Sequence, residues 1–387
     1  MDAKKFESEA RLTFGEATSI IVGHGVGSGI LAIPYLASRN SVLDFVLLII
    51  IAYCINLMLH LMIAELSYNN GGAQFVRCFE LELFRGRMKA AATWLVFIFL
   101  GLSVMMNVSS FVTGAGAVLT SWFGLPLIVS ELIFYAAAAA VVFVGMKAVG
   151  ICEKAAVMSM GAVIAVLAAA VAVSGAQPLS QRFVSGGNVL ALFSMISFAL
   201  SAVMSTPQVV KGLNGDAGRV RGAIAAGTGI NALIIVVITA ATLLGAGADI
   251  SENGALVDLS AHLGGWVGAV GYIFSLLALA TSFWANTLNL RDVVNEQTGW
   301  GEKKSWAVAS LPSLAVALLG VASFVALTRL ASVIQVLTGL GIILAYNRSR
   351  KKTGESPIIG RFGALPFQLI VALSSVLATV GSLVAIS

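Results

Sequence analysis

Charged side chains are scarce in this sequence: 11% of 387 residues, against roughly 25% in soluble domains. That scarcity disfavours a soluble enzyme, a nucleic-acid-binding protein and a disordered regulator. Cysteine is scarce too. Cys54, Cys78 and Cys152 are too few and too scattered for a disulfide framework or a zinc site, and they read as reduced thiols. Three isolated histidines supply no nucleophile–base pair or metal-ligand set, so no enzymatic chemistry is expected. The first sixteen residues lack a small-residue cleavage site and read as a polar tail, not a cleavable signal.

Apolar length is what is abundant. Hydrophobic residues make up 58% of the chain, and the mean hydropathy is +0.96. A bilayer span needs about 20 apolar residues. Long apolar runs predict eleven spans, near 14–38, 42–66, 91–121, 126–146, 150–174, 188–210, 220–247, 263–291, 305–325, 328–346 and 364–386. The turn Phe123-Gly124-Leu125-Pro126 divides a run too long for one span, and Arg329 marks a second division. The fold class expected is therefore an all-α polytopic membrane protein in one transporter domain, residues 1–387, with the lipid bilayer as its solvent.

The net charge of +5 becomes a topology signal once its carriers are located. Alternate loops hold 20 of the 23 basic residues, and only Arg39, Arg182 and Arg329 fall on the opposite side. The positive-inside rule then predicts a cytoplasmic-membrane protein with its N-terminus in the cytoplasm and its C-terminus outside. No nucleic-acid partner is implied.

Span centres in residues 14–174 recur about 170 to 180 residues later in residues 188–346, by the same register that sets span length. Five spans repeated must insert the second copy upside down. The pattern predicts a 5+5 inverted repeat with broken spans 1 and 6, and the segment 364–386 as one extra helix. Span 1 reads GHGVGSGILAIP, with Gly23, Gly25, Gly27 and Gly29 alternating ahead of Pro34. Glycine costs about 1 kcal/mol against alanine in a helix, so this run predicts an unwound segment lining a cavity. The half-helix beginning at Ser28 and Gly29 would offer free N–H groups to a substrate carboxylate. In span 6, Ser194, Ser197, Ser201, Ser205, Thr206 and Pro207 predict a second break near residues 197–201, with Phe198 as an aromatic wall.

Three strings carry a resemblance: GSGILAIP in span 1, Ser197-Phe198 with Pro207 and Lys211 in span 6, and Thr281-Ser282-Phe283 with Leu290 and Asp292 in span 8. The chain resembles the aromatic and hydroxy amino acid permeases of the amino acid–polyamine–organocation superfamily, which have eleven spans on the leucine-transporter fold. After Ser-Phe in span 6 that family usually has Gly, an aromatic residue and His, where this chain has Ala199, Leu200 and Ser201. The resemblance implies that Val26, Gly27, Ser28 and Gly29 meet the substrate's backbone groups. It implies that Ser197, Phe198, Ala199 and Ser201 complete the pocket, with Asn107, Ser110 and Phe111 of span 3 as its third wall.

The resemblance also implies a Na⁺ site from Gly23, Val26, Ala278, Thr281 and Ser282, whose neutral oxygens suit a hard cation. The rival coupling ion is a proton, with His24 inside the span 1 break as its carrier. Glu16, Glu65 and Glu153 are expected near cytoplasmic ends, solvated or paired, and Glu131 is expected to snorkel from the outer side. No cofactor beyond Na⁺ or H⁺ is implied. The function expected is a secondary active symporter for hydrophobic or aromatic amino acids. An ion-independent exchanger and a nutrient sensor with a transporter fold are the alternatives. A channel lacks its charged ring or carbonyl filter here.

Overall fold

Apolar runs bounded by caps and glycines fold here into helices alone. The structure is a computed structural model that describes residues 11–26, 29–176, 185–247, 250, 255–320 and 324–384. In chain order these form α1 (Phe14–Gly25), α2 (Gly29–Ser38), α3 (Val42–Asn69), α4 (Phe75–Glu82) and α5 (Lys89–Phe123). Next come α6 (Leu127–Val144), α7 (Met146–Ser174), α8 (Gly186–Ala199), α9 (Thr206–Gly212) and α10 (Ala217–Ala246). The last are α11 (Ala255–Leu263), α12 (Trp266–Thr298), α13 (Glu302–Leu318), α14 (Phe324–Thr353) and α15 (Leu365–Leu383). No strand occurs among the described residues.

Among those residues, eight helical stretches are long and apolar enough to cross a membrane. Their outer faces stay apolar, as Leu43, Leu47 and Ile50 on α3 and Leu95, Ile98 and Phe99 on α5 illustrate. Such extensive apolar exposure marks a surface meant for lipid. The remaining expected spans fail the length test: α1 and α2 have 12 and 10 residues and α13 has 17. The side chains of the first half of α14 lie outside the described residues.

Local chemistry sets the helix ends. Thr13 and Glu16 form a reciprocal capping box on α1, and Ser41 and Asp44 form one on α3. Gly124, at φ 69°, closes α5 in the left-handed conformation, and Pro126 opens α6, as the turn residues predict. The single residue Gly145, at φ 121°, separates α6 from α7, and no L side chain adopts that angle readily. Two short helices, α4 and α11, were not expected from the sequence, because neither carries a span-length apolar run.

The cysteines are unpaired. Cys78, on α4, is buried, and that burial, with Glu296 and Glu82 nearby, pushes its thiol well above the ordinary range. It is therefore an inert thiol.

Two acidic residues depart from expectation. Glu65 is not solvated, and no cation pairs with it among the described residues. It is wholly buried, and its carboxylate accepts hydrogen bonds from Tyr346 Oη at 3.2 Å and from the N–H groups of Ile358 and Ile359, both at 3.1 Å. It thereby pins the α14–α15 loop to α3. Glu131 does not snorkel: it is 2% exposed, packed against Gly116 of α5. Glu16 is paired as expected, with Lys147 Nζ 2.7 Å away.

Candidate functional site

Two helix interruptions face each other at the centre of the molecule. The span 1 run is carried by α1 and α2. Val26 leaves the helix with ψ 64°, and α2 resumes at Gly29. Gly27 and Ser28 lie outside the described residues. Ending at Gly25 places the negative end of the α1 dipole at this interruption. The span 6 run is carried by α8 and α9. The chain leaves the helix after Ala199, passes through Leu200–Ala202 and a 3-10 turn at Val203–Ser205, then resumes at Thr206 with Pro207 in the first turn. The gap therefore begins at Leu200, three residues later than the serine pattern predicts, and Ser197 remains helical.

Irregular backbone inside a membrane protein must find partners, and here side chains from three other helices provide them, while a fourth holds the Ser205 side chain. Asn231 Nδ2 on α10 donates to the Ala199 carbonyl at 2.8 Å. The Ala202 N–H donates to His60 Nε2 on α3 at 2.7 Å. Asn289 Nδ2 on α12 donates to the Met204 carbonyl at 2.7 Å. His24 Nδ1 on α1 shares a 2.8 Å hydrogen bond with Ser205 Oγ. Because an amide N–H can only donate, His60 Nε2 must accept, which puts the proton of the neutral ring on Nδ1.

The two interruptions touch. A methyl group built on Gly25 would collide with Asn231 Nδ2 and stand 2.8 Å from the Ala199 carbonyl oxygen. Of the other sequence-predicted residues, Val26 is wholly buried at the end of α1 and Gly29 opens α2. Ser197 and Phe198 are half-buried in the last turn of α8, and Ser201 is half-buried in the gap. Ala199, its last helical residue, is buried against the Asn231 amide. Asn107, Ser110 and Phe111 are buried on α5. There Asn107 Nδ2 donates to Asn286 Oδ1 of α12 at 3.4 Å and Ser110 Oγ to the Asn107 carbonyl at 2.7 Å. This ties the third wall to α12.

The residues expected to hold a cation lie where α1, α7 and α12 converge. Thr281 Oγ1 donates to the Ala278 carbonyl at 3.0 Å. Ser282 Oγ is buried with no hydrogen-bond partner among the described residues. Gly23 faces this corner, since a methyl there would stand 2.9 Å from Thr281 Cβ. The same methyl would collide with Glu153 Oε2 and lie 2.7 Å from Glu153 Cδ. Glu153 is thus not at a solvated end, as its neighbour Lys154 suggests, but wholly buried against Gly23. Neither of its oxygens has a partner among the described residues. An orphaned hydroxyl and an orphaned carboxylate are oxygen donors of the kind a hard cation takes.

Sequence reasoning missed His60, Asn231 and Asn289. His60 and Asn231 are lone polar residues in apolar runs, and that rarity is the signal that could have found them.

Broken helices meeting inside an all-helical, multi-pass bundle define a membrane secondary transporter and no enzyme. The family comparison agrees: residues 12–353 match the tryptophan/tyrosine permease family, and the chain belongs to it. Among solved structures the chain is similar to MhsT in complex with L-phenylalanine, with a TM-score of 0.62 and 14% identity, covering 97% of this chain and 100% of that one. It is similar also to Mhp1, a nucleobase-cation-symport-1 family transporter in a closed conformation with bromovinylhydantoin bound. There the TM-score is 0.66 and the identity 14%, over 97% of this chain and 91% of the other. At such identity the likeness is one of fold, that of the leucine-transporter type. No curated protein matches the chain in sequence.

Proposed function

We propose that this protein is a symporter for hydrophobic or aromatic amino acids that works by alternating access. The observation that carries the reading is the meeting of two helix interruptions at Gly25 and Ala199 in a chain of the tryptophan/tyrosine permease family. Eleven spans are the reading of the bundle: α1 with α2 and α8 with α9 count as one discontinuous span each, and α13 and α14 complete the set. The inverted repeat pairs residues 14–174 with 188–346. Its support is the matching position of the two interruptions and the matching length of the third members, α5 with 35 residues and α12 with 33. The basic loops orient the chain in the cytoplasmic membrane with its N-terminus inside and its C-terminus outside.

The substrate's carboxylate would sit at the start of α2, where the helix opens at Gly29 with the positive end of its dipole. Its ammonium group would face the carbonyl-rich end of α1 and the gap after Ala199. Phe198 and Phe111 are the aromatic surfaces nearest in sequence to that gap and to the third wall, and either suits an aromatic side chain. The coupling ion is a co-substrate, and Gly23, Val26, Ala278, Thr281 and Ser282 are the residues proposed to receive it. His24 is the alternative carrier if the ion is a proton, but its hydrogen bond to Ser205 already gives it a structural task.

Equilibrium binding of labelled tryptophan to the purified protein tests the substrate class. Competition by phenylalanine and tyrosine, and little by charged amino acids, is expected. Failure of all twenty amino acids to bind or to exchange in proteoliposomes would overturn the reading.

A further inference from the structure

We propose that a basic groove between the end of α4 and the last turns of α14 binds the phosphate headgroup of an anionic phospholipid. The groove is separate from the two interruptions and from the residues proposed to receive substrate and ion.

Its volume is about 610 Å³, and it is lined by Leu83, Arg85, Arg348, Lys351 and Lys352. Four of those five side chains are cationic. Helix geometry gathers three of them, because Arg348 lies three residues before Lys351 and four before Lys352 on α14. The other side is closed by α4, whose Phe79 packs on α14: a methyl built on Gly341 would stand 3.1 Å from the ring. Where α4 ends, Arg348 Nη1 donates to the Glu82 and Leu83 carbonyls at 3.2 and 3.0 Å. That anchors the guanidinium and leaves its other N–H groups to fork onto phosphate oxygens.

The charge balance here is strongly positive. Lys352 Nζ lies 2.6 Å from Glu82 Oε2, which offsets one of the four cations. Glu80, on the same helix, is engaged by Arg77 and Lys89. Arg85 and Lys351 are exposed and have no ion pair among the described residues. The negative dipole end of α14 suits the cations of its own last turns, but Arg85 belongs to the loop after α4 and answers to no such end. Like charges around one groove repel one another, and a bound anion relieves that repulsion.

The surface leading into the groove makes that anion a lipid. Leu344 stands one turn before Arg348 on the same face of α14 and is 60% exposed. Leu81 of α4 and Met88, just past Arg85, are exposed as well. An apolar face that ends in cationic side chains matches a molecule with acyl chains beneath its phosphate. A free phosphate would use the basic side chains and leave the exposed leucines without a role. On the orientation proposed above, this end of α14 is cytoplasmic, the side on which the membrane surface is anionic.

Native mass spectrometry of the full-length protein in detergent, with lipid titrated at fixed ionic strength, tests the proposal. Phosphatidylglycerol should be retained at concentrations several-fold below phosphatidylcholine. Arg85→Gln combined with Lys351→Gln should weaken phosphatidylglycerol retention about tenfold and leave phosphatidylcholine as it is. Both side chains are exposed, so the fold is not at stake. The control is Arg219→Gln combined with Lys304→Gln, which removes the same charge from exposed positions in other basic loops and should retain phosphatidylglycerol like wild type. A groove variant that retains phosphatidylglycerol like wild type overturns the proposal. So does a control that loses as much, which would reduce the effect to net charge. Inorganic phosphate at equal concentration should leave the lipid in place; if it displaced the lipid, the ligand would be a soluble phosphate and the lipid assignment would fall. The measurement needs no amino acid, so its outcome is independent of the substrate reading.

Discussion

Glu65 and Glu153 are both wholly buried glutamates on long apolar helices, yet their surroundings are opposite. Glu65 accepts three hydrogen bonds, from a tyrosine hydroxyl and two successive backbone N–H groups. Glu153 accepts none among the described residues and lies against a glycine. Burial alone therefore does not make a carboxylate a fastener between helices. What separates the two is whether the protein itself satisfies the oxygens. Glu65 is a finished junction that fastens the α14–α15 loop to α3. Glu153 is an unfinished one, and its burial carries a cost that Glu65 does not bear.

The largest effect that can break this comparison is at Glu65. Replacing it by Ala takes the acceptor from the Tyr346 hydroxyl and from two backbone N–H groups at once. Losing bonds to a charged acceptor in this way should cost about 3–5 kcal/mol. The expected outcome is a much lower melting temperature and poor recovery of monodisperse protein. A Glu65→Ala protein as stable as wild type would show that the junction is idle.

The next effect is at Gly23. Gly23→Ala forces Glu153 Oε2 out of its position and crowds Thr281 Cβ, 2.9 Å from the new methyl. Overpacking of this kind should cost about 1–3 kcal/mol, seen as a lowered melting temperature. Gly15→Ala on the same helix is the control. Its methyl meets nothing nearer than the flexible Lys154 side chain at 3.8 Å, so the melting temperature should not fall. Equal melting of the two variants would show that Glu153 does not press on Gly23.

The same contrast explains what could be read from the sequence. Spans such as 42–66 and 126–146 were legible because a bilayer demands long apolar runs, and caps such as Ser41–Asp44 marked where they begin. The glycine run of span 1 was legible because glycine is costly in a helix. The start of the span 6 gap was misjudged by three residues, because the helix runs on to Ala199, whose carbonyl is taken by Asn231 on a different helix. Glu153 was misread for a similar reason. Its neighbour Lys154 suggested a solvated loop, but successive residues on a helix point about 100° apart, so one reaches Gly15 and the other Gly23. Partners supplied by other helices are long-range facts, and no local pattern announces them. His60, whose bond is to residue 202, lay hidden on the same account.

The smallest effect sharpens the comparison from the structural side. Tyr346 is wholly buried, and its hydroxyl supplies one of the three bonds to Glu65. Tyr346→Phe keeps the ring in place and removes that bond, together with the hydroxyl's hydrogen bond to Ser356, leaving both backbone donors of Ile358 and Ile359 engaged. A single hydrogen bond to a charged group is worth about 1.5–3 kcal/mol, but this one is long at 3.2 Å. The expected loss is therefore at the lower edge, about 1 kcal/mol, seen as a melting temperature lowered by a few degrees. A junction that the protein completes with three donors should lose stability in steps, a little for Tyr346→Phe and much more for Glu65→Ala. Glu153 has no such bonds to lose among the described residues. If Tyr346→Phe destabilised the protein as much as Glu65→Ala, the tyrosine alone would carry the junction and the two backbone donors would add nothing to it.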